Sequence, residues 1–232
     1  MAKFKIKDGV AIIPEGATEI GEETFYGCTS LESITIPESV VKIGDDAFGG
    51  CTSLKSITLP ESITSIGWYA FKGCTSLKNV TLPDSATFLG ESAFSHCTSL
   101  ESITISKSIT DIEHYVFDDC SSLKSIIIPE SVIKIGIGAF RWCTSLKSIT
   151  IPESVTEIGF GAFTSCSSLK SITIKGEATV FATDIFSGCT SLATINIPVN
   201  SAYYYKKRLP EELHDKIVEL APEKKTKTEK EC

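Results

Sequence analysis

The sequence has few of the residues on which catalytic and metal sites most often depend. Its 232 residues include only three histidines, one methionine and two tryptophans. His96, His114 and His214 belong to no H-E-x-x-H pattern, and no G-x-S-x-G or G-x-x-x-x-G-K-[ST] sequence occurs. We therefore expect no enzyme activity, no catalytic residues, no metal and no cofactor. An enzymatic or metal-binding site assembled from separate segments is the less favoured alternative.

Long apolar runs and an excess of basic residues are also absent. No apolar stretch approaches the roughly 18 residues that a membrane-spanning helix needs, and no signal-peptide run follows the basic start of the chain. The 29 acidic residues outnumber the 22 basic ones. Because Lys and Arg dominate binding to nucleic acids and anionic membranes, we expect no nucleic-acid partner and no membrane insertion. As numbered, the chain is expected in the cytoplasm. A cell-surface or secreted location is expected if it is a fragment or is exported unconventionally.

Nine cysteines are present, and their spacing is more informative than their number. No C-x-x-C pair occurs, which disfavours zinc binding and dithiol redox chemistry. We interpret the regularly spaced thiols as buried and reduced, since free Cys packs as a small apolar residue. We expect a monomer. Because Cys232 is out of step with the repeat, a dimer crosslinked through Cys232 is the alternative. The other eight recur every 23 residues: Cys28, Cys51, Cys74, Cys97, Cys120, Cys143, Cys166 and Cys189.

The same 23-residue interval governs the whole sequence, which is the signature of stacked repeats. Phe recurs at every copy from Phe25 to Phe186, and Leu from Leu31 to Leu192. The boundaries predict an N-terminal cap with a degenerate first repeat (1–27) and seven complete repeats (28–188). A partial repeat with a helical cap (189–221) and a disordered charged tail (222–232) are predicted to follow.

Each copy predicts one strand, followed by a segment that leads the chain back to the start of the next strand. In the second complete copy, Ile57 and Leu59 alternate with polar residues, as in a half-buried strand that Pro60 ends. A second apolar group then leads to Gly67, where we expect a turn with positive φ, and a helical turn should place Phe71 in the core. The predicted fold class is α/β. Because Leu54, Ile57 and Leu59 match the Leu-x-x-Leu-x-Leu signature of a leucine-rich repeat, we expect a leucine-rich-repeat solenoid. It should have one parallel strand per repeat, short strand or helical turns on the other side, and a helical C-terminal cap.

The consensus Leu-x-x-Ile-x-Ile-Pro-x-Ser-Val-x-x-Ile-Gly-x-x-Ala-Phe-x-x-Cys resembles the BspA-like leucine-rich-repeat proteins of bacteria and some protozoa. The resemblance covers about residues 10 to 200. It implies a leucine-rich-repeat fold and a binding module, because the family is associated with cell-surface adhesion and with binding of host matrix proteins. One departure is that no export signal is visible.

The segment after Pro198 leaves the repeat register. Pro210 and the two glutamates after it favour a helix start. Leu213, Ile217 and Leu220 then fall on one helix face, as expected for a cap over the last repeat.

Outward positions where the repeat breaks its own pattern are the candidate contact residues. The two residues just after the repeat glycine are mainly acidic in some copies, such as Glu22 and Glu23. In other copies the same two positions include large aromatic or apolar side chains. Exposed aromatic clusters are enriched in binding hot spots. The alternative is that these side chains fold back and shield the core. We predict a protein or glycoprotein partner, adhesin-like by the resemblance, or alternatively a partner within the same cell. The predicted contact residues are Trp68, Tyr69, His114, Tyr115, Ile137 and Phe160.

Overall fold

The chain winds into a solenoid in which equivalent residues of successive repeats lie side by side. The computed structural model describes residues 6–176, 180–182 and 184–221. Ser148 pairs with Ser171 and Ile149 with Ile172, in parallel and 23 residues apart. This register confirms the predicted leucine-rich-repeat solenoid. The predicted tail, including Cys232, lies outside the described residues.

The first side of the solenoid is a ladder of short parallel strands. Ile149 and Ile151 are buried and Ser148 and Thr150 exposed, which confirms the predicted alternation. At 56–59 and 125–128 the described backbone forms no strand, apart from one bridge between Thr104 and Ile127. An antiparallel strand, Ile6–Lys7, covers the first edge. The parallel strands are Val10–Ile12, Ser33–Thr35, Asn79–Thr81, Ser102–Thr104, Ser148–Ile151, Ser171–Ile174, Thr194–Ile197 and Ile217–Glu219.

A second parallel ladder follows the first-ladder segment of each repeat, after a proline except where Ser106 and Lys175 take that position. Its strands are only two residues long, each with one inward apolar side chain such as Ile66 or Ile158. These are the short return strands that the fold class includes. They are Glu19–Ile20, Lys42–Ile43, Ser65–Ile66, Phe88–Leu89, Asp111–Ile112, Lys134–Ile135, Glu157–Ile158 and Val180–Phe181.

The third side consists of single turns joined from one repeat to the next. The Cys74 amide donates back to the Phe71 carbonyl, closing a turn within the repeat. The Phe71 amide donates to the Ala93 carbonyl of the following repeat at 2.8 Å. These turns place each Phe in the core, where neighbouring rings stack with centroids 5.1 to 6.1 Å apart.

The cysteine column lies between the Phe column and the first ladder. Cys74 Sγ donates to the Phe48 carbonyl oxygen, and Cys97 Sγ donates to that of Phe71. The described cysteines are free, and all except partly buried Cys28 are buried. Burial raises the pKa of the Cys51 and Cys97 thiols to about 12.

The predicted positive φ at Gly67 is wrong. Positive φ falls instead on Tyr69 and Gly73, at the two ends of the turn. Gly67 is required for space, because a Cβ there would lie 2.7 Å from the backbone nitrogen of Asp45 in the preceding repeat.

The C-terminal cap is only partly helical. It contains an α-helix, Ala202–Lys206, and a 3-10 helix, Glu211–Lys216. The predicted helix face with Ile217 and Leu220 is wrong, because Ile217–Glu219 pairs with Thr194–Ile197 as the last strand of the first ladder. The open strand edge offers backbone hydrogen bonds that outweigh helical periodicity. Buried Tyr205 closes the core below this edge by donating from its hydroxyl to the Gly176 carbonyl.

Candidate functional site

Three of the six predicted contact residues surround one recess on the third side. Tyr115, Ile137 and Phe160 line a hollow of about 230 Å³. Its floor is created by Gly138 and Gly161, which occupy the positive-φ position that Tyr115 fills in the earlier repeat. A Cβ on Gly138 would lie 2.5 Å from the Tyr115 ring, so only glycine lets that ring lie across the turn. We call this hollow the Tyr115 recess.

Arg141 forms a fixed wall of the Tyr115 recess. Its guanidinium binds the Asp118 carboxylate through two hydrogen bonds, of 2.8 and 2.9 Å, and lies 5.2 Å from the Tyr115 ring centroid. The Asp118 side chain is only 5% exposed, which makes the pair partly desolvated. The hydrogen bonds that Arg141 donates to the Asp118 carboxylate raise the pKa of Arg141. The recess therefore presents its aromatic and cationic groups in one preset geometry.

His114 has a structural role in addition to its exposed position. Its Nδ1 accepts a hydrogen bond of 2.9 Å from the Ile137 amide. Asp45 Oδ1 accepts the equivalent bond from the Trp68 amide at 2.8 Å. Since a carboxylate serves the same purpose three turns earlier in this column, the imidazole links neighbouring repeats there.

Trp68 and Tyr69 do not join the Tyr115 recess. Tyr69 lines a different hollow of about 390 Å³ that we call the Tyr69 pocket, together with Tyr26, Asp46, Lys72, His96 and three glycines. Trp68 is 53% exposed beside it. The repeat carrying Glu91 and buried Ser92 separates the two groups. The predicted contact residues therefore do not form one strip: Tyr69 lines one hollow, Tyr115, Ile137 and Phe160 line another, and Trp68 and His114 line neither.

A feature that the sequence analysis missed lies on the first ladder. Ile127 is 84% exposed and interrupts a row that carries Thr in all the other repeats from Thr35 to Thr173. It stands in a groove of about 730 Å³ at the point where the strand ladder is interrupted. The signal was available, because Ile127 breaks the threonine column just as Trp68 breaks the acidic one.

A column of lysines, which the sequence analysis also missed, follows the recurring Leu in five repeats. Two of them are neutralised by glutamates of the preceding repeat, Lys55 by Glu32 at 2.6 Å and Lys124 by Glu101 at 2.5 Å. The row therefore has less free positive charge than its length indicates. Its members are Lys55, Lys78, Lys124, Lys147 and Lys170.

The described residues contain no group of three or more His, Cys, Asp or Glu side chains placed to hold a metal ion. Over the same part of the chain, no helix has both the length and the apolar character needed to cross a bilayer.

Comparison with protein families gives a match over most of the chain. Residues 10–124 and 110–208 match the family described as BspA type Leucine rich repeat region, in six copies. No curated protein sequence matches the chain.

Two solved structures share both sequence and fold with the chain. The T. pallidum leucine-rich repeat protein is 30% identical, with a TM-score of 0.70 over 90% of this chain and 93% of its own. A leucine-rich repeat protein from Bacteroides ovatus is 33% identical, with a TM-score of 0.63 over 81% of this chain. The chain spans only 55% of the length of the Bacteroides protein.

Proposed function

Because this chain belongs to the family of BspA-type leucine-rich repeat proteins, we propose that it is a non-enzymatic interaction scaffold that binds a protein or glycoprotein partner through the Tyr115 recess. The observation that carries the proposal is the grouping of Tyr115, Ile137, Arg141 and Phe160 around one hollow. The repeat itself does not demand these side chains, since equivalent positions elsewhere carry acidic residues.

The chemistry of the recess suits a protein side chain. Tyr and Arg are among the residues most enriched in interface hot spots, and such anchors usually line a small pocket. Phe160 is 51% exposed, which leaves apolar area to be buried by a partner. The hollow has the dimensions of one large side chain, so we expect a single apolar or aromatic anchor to enter it.

The rigidity of the recess favours affinity. Arg141 is held by Asp118 and by the Tyr115 ring before any partner arrives. The Ile137 amide is held by His114. Because fewer rotamers are lost on binding to a preset surface, more of the contact free energy contributes to affinity.

Adhesion outside the cell and scaffolding within it remain two versions of this proposal. Family resemblance supports the adhesin version. The intracellular version is supported by the free thiols, because regular disulfides are more typical of exported proteins. Surface biotinylation of intact cells that express the native gene would separate the versions, since only a surface protein is labelled.

The test is a paired pull-down with reduced protein, against lysate of its own cells and against matrix glycoproteins. We expect wild type to capture a partner that a folded Tyr115→Ser, Phe160→Ser double variant loses. Gly161→Asn should also reduce capture by filling the recess, because Asp46 and Asp184 show that this column accepts a short polar side chain at positive φ. Tyr203→Ser is the matched control, since Tyr203 is 74% exposed on the cap.

Equal capture by wild type and by the double variant would show that the recess is not the contact surface. Capture of no partner from either source would contradict the scaffold proposal itself.

A further inference from the structure

The Tyr69 pocket combines aromatic rings with hydrogen-bonding groups in a way that the repeat does not require. Its two rings come from different columns, Tyr26 from the end of one turn and Tyr69 from the start of another. Asp46, Lys72 and His96 provide the polar groups. No aliphatic side chain lines it, in contrast to the groove around Ile127.

Both rings are held in place from below. Tyr26 is 60% exposed, yet its ring lies against Gly49, where a Cβ would come within 2.9 Å of a ring carbon. Tyr69 has φ of 58° and donates its amide to the Glu91 carbonyl at 2.9 Å. The Lys72 ammonium lies 5.0 Å from the Tyr69 ring centroid. The Tyr26 ring is therefore open to a ligand from above, and the half-buried Tyr69 ring lies beside it with the Lys72 ammonium over one of its faces.

The floor between the rings has no side chains. Gly50 and Gly73 both have φ of 71°, and a Cβ built on Gly50 would meet the Cα of Gly27 at 3.6 Å. Glycine lets a ligand approach the backbone closely. The pocket is thus shallow and flat, which suits a ring-shaped ligand more than a protruding side chain.

The polar groups favour a ligand that is uncharged and rich in hydroxyls. The Asp46 carboxylate accepts hydrogen bonds, and the Lys72 ammonium donates them. Their charges offset one another. Burial raises the pKa of Asp46. Lys72 opposes this shift, whereas the nearby carboxylates of Glu23 and Asp45 add to it. This acidic neighbourhood would repel an anionic ligand.

We propose that the Tyr69 pocket binds an uncharged sugar residue of a glycan. A sugar ring presents C–H groups that pack on Tyr26 and Tyr69, and hydroxyls that both donate and accept hydrogen bonds. The acceptor Asp46 and the donor Lys72 match these hydroxyls without a net charge. The inference goes beyond the proposed function and uses different residues, so either can fail without the other.

The test applies the full chain to an array of neutral, sialylated and sulfated glycans, followed by calorimetric titration of the glycan bound most strongly. We expect binding to a subset of neutral glycans, weakened about tenfold or more by Tyr26→Ala and by Tyr69→Ala. Tyr203→Ala is the matched control, because Lys207 lies over that exposed ring at 4.5 Å in the same type of pair. Thermal unfolding of each variant shows that it is folded.

Binding to no glycan, or only to sialylated or sulfated ones, would overturn the assignment. Binding that survives both tyrosine substitutions would equally exclude this pocket. A protein partner lost from the Tyr115→Ser, Phe160→Ser variant while glycan binding persists would show that the two sites are independent.

Discussion

The rings of Phe94 and Phe117 lie 6.1 Å apart between centroids, whereas most neighbouring rings of this column lie 5.1 to 5.4 Å apart. The wider step coincides with Glu113, which replaces the repeat glycine in the second of the two turns. A second wide step, 5.9 Å between Phe163 and Phe186, coincides with Ala182 in the same column. The repeat glycine therefore controls how closely successive turns stack.

Substitution of Gly90 by Ala should destabilise the protein. A Cβ at Gly90 would lie 2.5 Å from the Trp68 backbone nitrogen, so the turns must separate. We expect a loss of about 1 to 3 kcal/mol in the free energy of unfolding, as for other overpacked sites, measured by urea denaturation. Gly21→Ala is the matched control, because its added Cβ meets only Thr24 Oγ1 at 3.6 Å. An equal loss in both variants would refute the stacking role.

The phenylalanine column should dominate core stability. Phe94 is fully buried, and Phe94→Ala should lower the free energy of unfolding by about 3 to 5 kcal/mol because it leaves a cavity. Phe88→Ala, at a side chain 41% exposed, should cost much less. A small effect at Phe94, measured under the same conditions, would contradict the stacked core.

Alkaline pH should unfold the protein through the thiol column. The pKa of Cys97 rises from its ordinary 9.0 to about 12 on burial, so the folded chain keeps a proton that the unfolded chain loses. This contribution to stability is complete below pH 9 and is lost as pH rises toward 12.

The thiol effect is measured as the slope of unfolding free energy against pH, in reducing buffer above pH 9. Cys97→Ala should flatten that slope by up to about 1.4 kcal/mol per pH unit, the value for one proton. Cys28→Ala, at the partly exposed thiol, is the control and should change the slope less. An unchanged slope for Cys97→Ala would argue against ionisation of buried thiols as the cause.

Replacing His114 by Asp should leave the stability of the protein unchanged. Asp45 Oδ1 already accepts the equivalent amide hydrogen bond, so His114→Asp should preserve the free energy of unfolding. His114→Leu should lose about 1 kcal/mol because the Ile137 amide loses its acceptor. Thermal melts of the two variants test this. An equal loss of stability in His114→Asp and His114→Leu would show that the hydrogen bond from the Ile137 amide is not what stabilises this position.

The candidate sites were only partly predictable. Tyr115, Ile137 and Phe160 were identified because they depart from the column consensus, but their grouping depends on Gly138 and Gly161, whose missing side chains open the hollow. Tyr26 was not predicted as a partner of Tyr69, because the two residues belong to different columns. A departure from the column consensus marks an unusual side chain, but the space between two columns depends on how the turns pack.

The repeat sequence by itself determined the solenoid, the inward alternation at Ile149 and Ile151, and the Phe and Cys columns, because a constant interval places identical side chains in identical surroundings. Only the tertiary structure decided which positions take positive φ, since Tyr69 and Tyr115 accept it where glycine was not present. It also decided the strand at Ile217–Glu219, because an open ladder edge supplies hydrogen bonds that local periodicity does not reveal.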